Sequence, residues 1–402
     1  MRILHINTSD NGGAGKAVVR LMNGLLKNQL ENDLLVLYKY QNHPHIHRFV
    51  PNTSSTFKRL KFSLKYRLLQ YKQKRALSGK NHNLEIFSFP ESLYDIQQHP
   101  LFHQADIIHL HWVAGFLDYP SFFKKIKKPV VWTLHDSNPF IGGFHYQSFE
   151  EKEEFLPLTD LVKSQKRKGL AGFENLHIVT LSRWLYEASS KSSLFAKYKH
   201  ALIPNGLDTD LFKPYPKKES RELLGLPQDK KIILFAAESI ENEMKGLSFL
   251  LEALQKLKNQ DFMLATLGTG ALTSLGFPYK ALGFIDDPQK VAKVYSAADI
   301  FVIPALEDNL PNTALESIAC GTPVVGFNDG GIPDMIRPGE NGLLAEPKNC
   351  DDLAEKIHRM LNDETLVNTM GVKAREIALN EYDASIQAHS YIKLYEQILA
   401  TT

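Results

Sequence analysis

Two acids eight residues apart, Asp308 and Glu316, flank a turn in the stretch PALEDNLPNTALESIACGTPVVGF, residues 304–327. An acid pair at that spacing is ambiguous by itself, because most acids near helices are simply solvated. The turn between them carries more. Ile300 to Ile303 is a short apolar run and reads as a buried strand. Asp308 and Asn309 supply capping chemistry, Pro311 suits a first helical turn, and Ala314, Leu315, Ile318 and Ala319 recur at helical spacing. Gly321 ends that helix and Pro323 introduces a strand from Val324 to Phe327. A helix therefore opens at the carboxyl end of a parallel strand, where backbone N–H groups and the helix dipole favour phosphate.

A second arrangement of this kind lies at the start of the chain. Ile3 to Ile6 reads as a strand, Asn11-Gly12-Gly13-Ala14-Gly15 as a loop, and Lys16 to Lys27 as an amphipathic helix. Asp10 and Ala17 break the pattern of a P-loop, and Val18 stands where a dinucleotide fingerprint needs Gly or Ala. A tight turn with positive φ is the simpler alternative. His109, His111 and Trp112 lie at the carboxyl end of the strand Asp106 to Leu110, and His135 and Asp136 follow Val130 to Leu134. Histidine is the side chain best suited to change between donor and acceptor. His43, His45 and His47 alternate as ligands on a strand would. No carboxylate or cysteine pairs with them in the sequence, so exposed loop histidines are expected there and no metal site.

The elements that must position these residues alternate strand and helix throughout, with further strands at Leu34 to Tyr38, Leu84 to Phe87, Ile178 to Leu181, Ile232 to Ala236, Phe262 to Leu267 and Ala281 to Phe284. Helices are expected at Leu247 to Leu257, opened by Lys245 and Gly246, and at Gln289 to Ala297, Asp352 to Leu361, Glu364 to Leu379 and Ala384 to Leu399. The 402 residues exceed one ordinary core, so two α/β domains are expected. Apolar content of 43% and charged content of 23% are globular values, and a net charge of +2 gives no case for nucleic acid. Two cysteines, Cys320 and Cys350, exclude a disulfide framework and a four-cysteine zinc site. They fit a reducing compartment, and with no signal-like or membrane-spanning run the expectation is a cytoplasmic chain. Lys58 to Lys80 carries nine basic residues and no acid, interleaved with Leu60, Phe62, Leu64, Leu68, Leu69 and Tyr71. A basic helix of this kind suits peripheral contact with the inner face of a membrane; a solvated helix packed on its own domain is the alternative.

The order and spacing of these segments resemble the retaining glycosyltransferases of family 4, with a subgroup acting in bacterial cell-surface polysaccharide synthesis. The resemblance rests on Asp308, Glu316, Gly321, Pro323, Val324 and Val325; on WTLHDSNPFIGGFHY, residues 132–146; on IPNGLDTDLF, residues 203–212; and on Gly330, Gly331, Pro333, Gly342 and Leu343. It implies the GT-B fold, two Rossmann-like doubly wound domains facing across a cleft. Residues 1–205, with a returning helix 384–402, would form the acceptor-side domain, and 206–383 the donor domain. It further implies transfer of a hexose-type sugar from a nucleotide-diphosphate sugar to a glycan or lipid-linked acceptor, with retained configuration. No cofactor or divalent metal would be needed. Under the resemblance His135 faces the donor sugar, Asp308 hydrogen-bonds its hydroxyls and Glu316 binds the ribose. Lys245 meets the pyrophosphate, and Gly12, Gly13, Asn309, Leu310, Asn312 and Thr313 line the donor. Asp208-Thr209-Asp210 then belongs to the interdomain segment, not to a metal-binding DxD motif. The chain departs from the family at Asp308, where Glu is usual and Glu307 is one residue out of place. It departs again at Ser239, near the usual position of an Arg, and at Phe144, where the subgroup has cysteine. These departures keep open a nucleotide-sugar epimerase and a non-catalytic nucleotide-sugar-binding subunit.

Overall fold

Every pairing between strands in the two sheets is parallel. The computed structural model of the protein describes residues 1–79, 86–273 and 275–401. It divides into one unit of residues 1–203 with 388–402 and another of residues 204–387.

The first unit holds β1 (Arg2–Ser9), β2 (Glu31–Tyr38), β3 (Ile46–Arg48), β4 (Ile107–Leu110), β5 (Val130–Leu134), β6 (Leu176–Thr180) and β7 (Lys199–Leu202), in the order β3-β2-β1-β4-β5-β6-β7. The central strands are continuous buried runs, as parallel strands covered on both faces must be. Strand order reverses between β1 and β4, so the crevice at their carboxyl ends is the expected ligand position. One face is covered by the helix Ala384–Ala400. Its Ala388, Tyr391, Tyr395 and Ile398, spaced three and four apart, join Ile3, Leu21, Ile107, Val131 and Val179 in one core.

The second unit holds β8 (Lys231–Ser239), β9 (Phe262–Thr269), β10 (Tyr279–Gly283), β11 (Ile300–Ile303), β12 (Val324–Phe327) and β13 (Gly342–Ala345), in the order β10-β9-β8-β11-β12-β13. The reversal here falls between β8 and β11. The strands β5, β11 and β12 keep the bounds their apolar runs predict.

Three local readings change. Residues 12–15 are not a loop: the helix runs from Gly12 to Lys27. Gly12 makes the turn at φ +75°, and Gly15 lets the helix close on the end of β1. A Cβ at Gly15 would stand 2.8 Å from the Ser9 carbonyl oxygen. Pro311 is the residue before the helix Asn312–Ala319, not in its first turn. Of the strand expected at Leu84 to Phe87, residues 84 and 85 lie outside the described residues. Phe87 makes an isolated antiparallel bridge to Phe144.

The basic segment is a helix, Thr56–Leu77, with none of its residues buried; Lys80 lies outside the described residues. Phe57, Leu60, Leu64, Leu68 and Tyr71 recur every three or four residues and are all more than half exposed. Lys58, Lys61, Lys65 and Lys72 border this stripe on one side, Arg67 and Lys74 on the other. Among the described residues no helix is long and apolar enough to cross a membrane.

Candidate functional site

In the second unit the reversal of strand order brings two candidate residues into contact. β8 leads into a short helical turn, Glu243–Lys245, and β11 leads into the loop 304–311. The Lys245 Nζ donates to Asp308 Oδ2 at 2.6 Å, with both side chains partly buried. Asp308 therefore meets the lysine, and Glu307 is buried. The loop is framed by backbone from two sides. The Leu306 N–H donates to the Met244 carbonyl at 2.9 Å, and the Gly331 N–H to the Asp308 carbonyl at 2.8 Å. Both contacts need glycine beside them. A Cβ at Gly246, φ +72°, would stand 1.7 Å from the Pro304 carbonyl oxygen, and one at Gly330, φ +60°, 2.4 Å from that of Asp308.

Beyond the loop, Asn312 and Thr313 form the first turn of the helix 312–319, half-buried, with their N–H groups among the four that a helix start leaves without intrahelical partners. Glu316 stands one turn on, where Oε2 accepts from the Tyr295 hydroxyl at 3.1 Å. Asn309 and Leu310 are 7% and 5% exposed, so what they present is chiefly backbone. Asp308 is engaged with Lys245. This edge can hold an anion by one ammonium, a helix N-terminus and constrained backbone, with Asp308 and Glu316 as hydroxyl acceptors.

Asp208-Thr209-Asp210 is a turn. Asp208 Oδ1 accepts from the N–H groups of Asp210 and Leu211, each at 3.1 Å, and the Thr209 hydroxyl donates to Asp383 at 2.5 Å. Arg375 pins it through the carbonyls of Thr209 and Phe212.

The first unit presents a different set. The β1–β4 register pairs His5 with His109, and β4–β5 pairs His109 with Val131. Period-two alternation then brings His5, His109, His111, Thr133 and His135 to one sheet face. His5 Nδ1 lies 3.0 Å from His111 Nε2, and His111 Nδ1 lies 3.2 Å from His135 Nε2. His109 Nδ1 meets the Tyr395 hydroxyl at 2.6 Å and its Nε2 meets Thr133 Oγ1 at 2.7 Å. His5, His109 and His111 are buried and His135 is half-buried. Burial disfavours their charged forms, lowering His5 to about 3 and His135 to about 4, and holding His109 and His111 well below the ordinary range.

Beside His135, Asp136 accepts from Trp112 Nε1 and meets His145 Nδ1, each at 2.6 Å, and accepts from the Asn138 N–H at 2.9 Å. Burial alone would raise its pKa, but His145 and these donors hold it below the usual carboxylate range. Gly12 and Gly13 lie at the carboxyl end of β1, the other wall of the reversal.

Lys166 was not anticipated. It is buried, its Nζ donating to the carbonyls of Asn138 and Ile141, and burial pushes its pKa down to about 7. It thereby ties down the loop that carries Asp136. A signal existed: Leu158, Val162, Lys166 and Leu170 share the apolar stripe of one helix, Leu156–Leu170.

The ground for excluding a metal at His43, His45 and His47 fails. Asp33 meets His45 Nδ1 at 3.3 Å and His47 Nε2 at 3.0 Å, and takes Arg2 as well. Burial would raise Asp33, but His47, Arg2 and His45 hold it low. The one trio of potential metal ligands among the described residues is His5, His109 and His111. Both nitrogens of His109 and both of His111 already face a hydrogen-bonding partner, which leaves that trio poorly suited to an ion.

Residues 230–363 match the model of a family described as glycosyl transferases group 1. An uncharacterized glycosyltransferase of Methanocaldococcus jannaschii is 28% identical over 275 residues, 64% of this chain and 66% of that protein. An N,N'-diacetylbacillosaminyl-diphospho-undecaprenol alpha-1,3-N-acetylgalactosaminyltransferase of Campylobacter jejuni is 31% identical over 202 residues, 48% of this chain and 53% of that one. The chain thus matches between about half and two thirds of the length of such relatives. Among solved structures, sucrose-phosphate synthase from Thermosynechococcus elongatus superposes over 100% of both chains with a TM-score of 0.74 at 20% identity. The two Rossmann-like parallel sheets are those of the GT-B fold.

Proposed function

We propose that this chain is a glycosyltransferase of the group 1 type, taking a sugar from a nucleotide-diphosphate donor. The observation that carries the reading is the Lys245–Asp308 pair at the reversal of the second sheet, beside the N-terminus of helix 312–319. A leaving diphosphate needs positive charge and aligned N–H groups that are already in place, and this edge offers both. Lys245 would turn from Asp308 to the diphosphate when donor binds, freeing Asp308 for the sugar hydroxyls. Glu316 would bind the ribose, its orientation held by Tyr295. His135 would meet the sugar. Gly12 and Gly13 would allow backbone to approach the ligand closely. The sugar would be transferred with retained configuration by same-face attack, with no nucleophile from the protein and no divalent metal.

The acceptor would be a glycan or a lipid-linked sugar, in cell-surface polysaccharide synthesis at the cytoplasmic face of a membrane. The exposed stripe of helix 56–77, bordered by basic residues, supports peripheral contact with anionic lipid, each basic side chain near the surface contributing about 1 kcal/mol. Sedimentation with phosphatidylglycerol vesicles should fall sharply in Leu60→Asp/Leu64→Asp and be weak with phosphatidylcholine. Equal binding by wild type and variant would remove this helix from the membrane.

The experiment for the reaction is nucleoside diphosphate release from UDP-, GDP-, ADP- and dTDP-sugars in the presence of EDTA. Release from one donor is expected. Neither turnover nor binding by thermal shift across the panel would overturn the reading.

A further inference from the structure

We infer that the groove beside helix 56–77 is a lipid-headgroup site, taking the doubly charged phosphate of a membrane lipid among Lys58, Lys61 and Lys65. The inference rests on the membrane contact proposed for this helix and not on sugar transfer.

The groove lies between the helix and two segments of the first unit, residues 49–53 after β3 and 93–98 before β4, and its volume is about 270 Å³. Sites for drug-sized ligands run from roughly 300 Å³ upward, so this one suits a headgroup and not a whole nucleotide sugar. Aromatic contact ties the helix to the domain. The Phe62 ring lies 6.0 Å from that of Tyr94, and the Tyr94 ring 6.0 Å from that of Phe49. Phe49 is buried and Phe62 half-buried, so one wall of the groove is anchored in the fold.

The charge in the groove has one sign. Lys58, Lys61 and Lys65 stand three and four residues apart, one behind another on the helix face that lines it. Among the described residues the one acid of the lining is Asp95, and it is already matched: Oδ2 meets Lys125 Nζ at 3.2 Å and accepts from Gln98 Nε2 at 3.1 Å. Like charges three and four apart on a helix repel, and an anion between them relieves that repulsion. A lysine ammonium is a compact point charge that binds phosphate well. A phosphate monoester brings nearly two charges and three acceptor oxygens to three ammonium groups. A phosphodiester brings one charge and two free oxygens, and matches the groove less well.

Position selects a lipid over other anions. The exposed stripe of Phe57, Leu60, Leu64, Leu68 and Tyr71 flanks the same lysines. An amphipathic helix sinks its apolar face about 5–10 Å into the boundary between headgroups and acyl chains, which sets lysines beside that face at the depth of lipid phosphate. A free anion or a nucleic acid would use the charge and leave the stripe in water. Arg67 and Lys74, across the stripe, do not line the groove and provide an internal comparison.

The test is sedimentation of the full chain with phosphatidylcholine vesicles containing either phosphatidic acid or phosphatidylglycerol, adjusted to equal surface potential. The wild type should bind the phosphatidic acid vesicles at least about fivefold more tightly. Lys61→Gln/Lys65→Gln should erase that preference. Arg67→Gln/Lys74→Gln, with the same loss of charge, should weaken binding to both lipids alike and keep the preference. All four side chains are exposed, so both variants should fold. No preference in the wild type, or its equal loss in the two variants, means diffuse attraction and overturns the inference. Isothermal titration with dihexanoyl phosphatidic acid, below its micellar concentration, reads the groove without a bilayer. Saturable heat in the wild type and none in Lys61→Gln/Lys65→Gln is expected; no heat in the wild type overturns the inference. That heat without vesicle binding would support the groove and remove the membrane contact alone, so the two failures are told apart. Inorganic phosphate binding as tightly as the soluble lipid would make this a free-phosphate site and overturn the lipid assignment.

Discussion

The two units repeat one architectural device and fill it with opposite electrostatics. Each is a parallel sheet whose strand order reverses once, and each gathers its candidate residues at the carboxyl ends there. In the second unit that edge holds an ion pair, Lys245 and Asp308, in a loop framed by glycine-dependent backbone contacts. In the first it holds a ladder of uncharged imidazoles with His135 at its outer end. Fourteen of the fifteen histidines fall in the first unit, and only His358 in the second. Lys245 and Asp308 are both partly exposed. Burial disfavours the charged forms of the four histidines on the other edge. One topology thus presents two kinds of edge, one with a partly exposed ion pair and one with buried imidazoles.

The sharpest way to break the comparison is acid. For His5, lowered to about 3 in the folded state against 6.5 unfolded, stability is fully present above pH 6.5 and is lost as pH falls from there toward 3, because the unfolded chain binds the extra proton. His5 alone should cost about 2–3 kcal/mol by pH 4.5, with His109 and His111 acting in the same direction. Hydrogen exchange followed by mass spectrometry at pH 7.5, 6 and 5 should show protection falling first in β1, β4 and β5. Simultaneous loss in β8 and β11 would refute the contrast.

A backbone change should break the other side. Gly246→Ala forces a Cβ onto the Pro304 carbonyl at positive φ and should destabilise the second unit by about 2–4 kcal/mol. Urea unfolding monitored in each unit checks this, and a loss confined to the first unit would contradict it. Smaller, and read in activity, Lys245→Ala should lower kcat/KM at least tenfold, about 1.4 kcal/mol, with the thermal midpoint little changed. An unchanged kcat/KM would take Lys245 out of the site. Smallest is Lys166→Met. With its folded pKa near 7 and its unfolded value near 10.5, Lys166 makes stability rise with pH across that window. The variant should lose that rise, about 1 kcal/mol per pH unit at its steepest, in denaturation midpoints from pH 7 to 9.

Much of the fold could be read from patterns that report their own surroundings. The runs Val130–Leu134, Ile300–Ile303 and Val324–Phe327 are buried on both faces, so their apolar character marks their ends without outside information. The ends of the helix Asn312–Ala319 were readable to within about a residue, because Pro311 and Gly321 act on local dihedrals. What escaped depended on distant partners. Gly15 looked like a loop residue until β1 was seen to pass beneath it. Asp33 lies ten and more residues before His45 and His47, and only the β2–β3 pairing brings them together. Lys166 was overlooked because a lysine in an apolar stripe has no local meaning until the carbonyls of Asn138 and Ile141 receive it.

By itself the sequence determined the two-domain α/β organisation, the alternation of buried strands and helices, and the candidate residues at strand ends, since each of these follows from short-range periodicity and turn chemistry. Only the tertiary structure decided that Asp308 meets Lys245 across sixty-three residues of chain. Only it aligned His5, His111 and His135 as one line of nitrogens, through parallel register between β1, β4 and β5. The reason is physical. Dihedral preference and amphipathic spacing act over a few residues, whereas the partners of an ion pair and of a buried imidazole are groups that the fold alone brings within hydrogen-bonding distance.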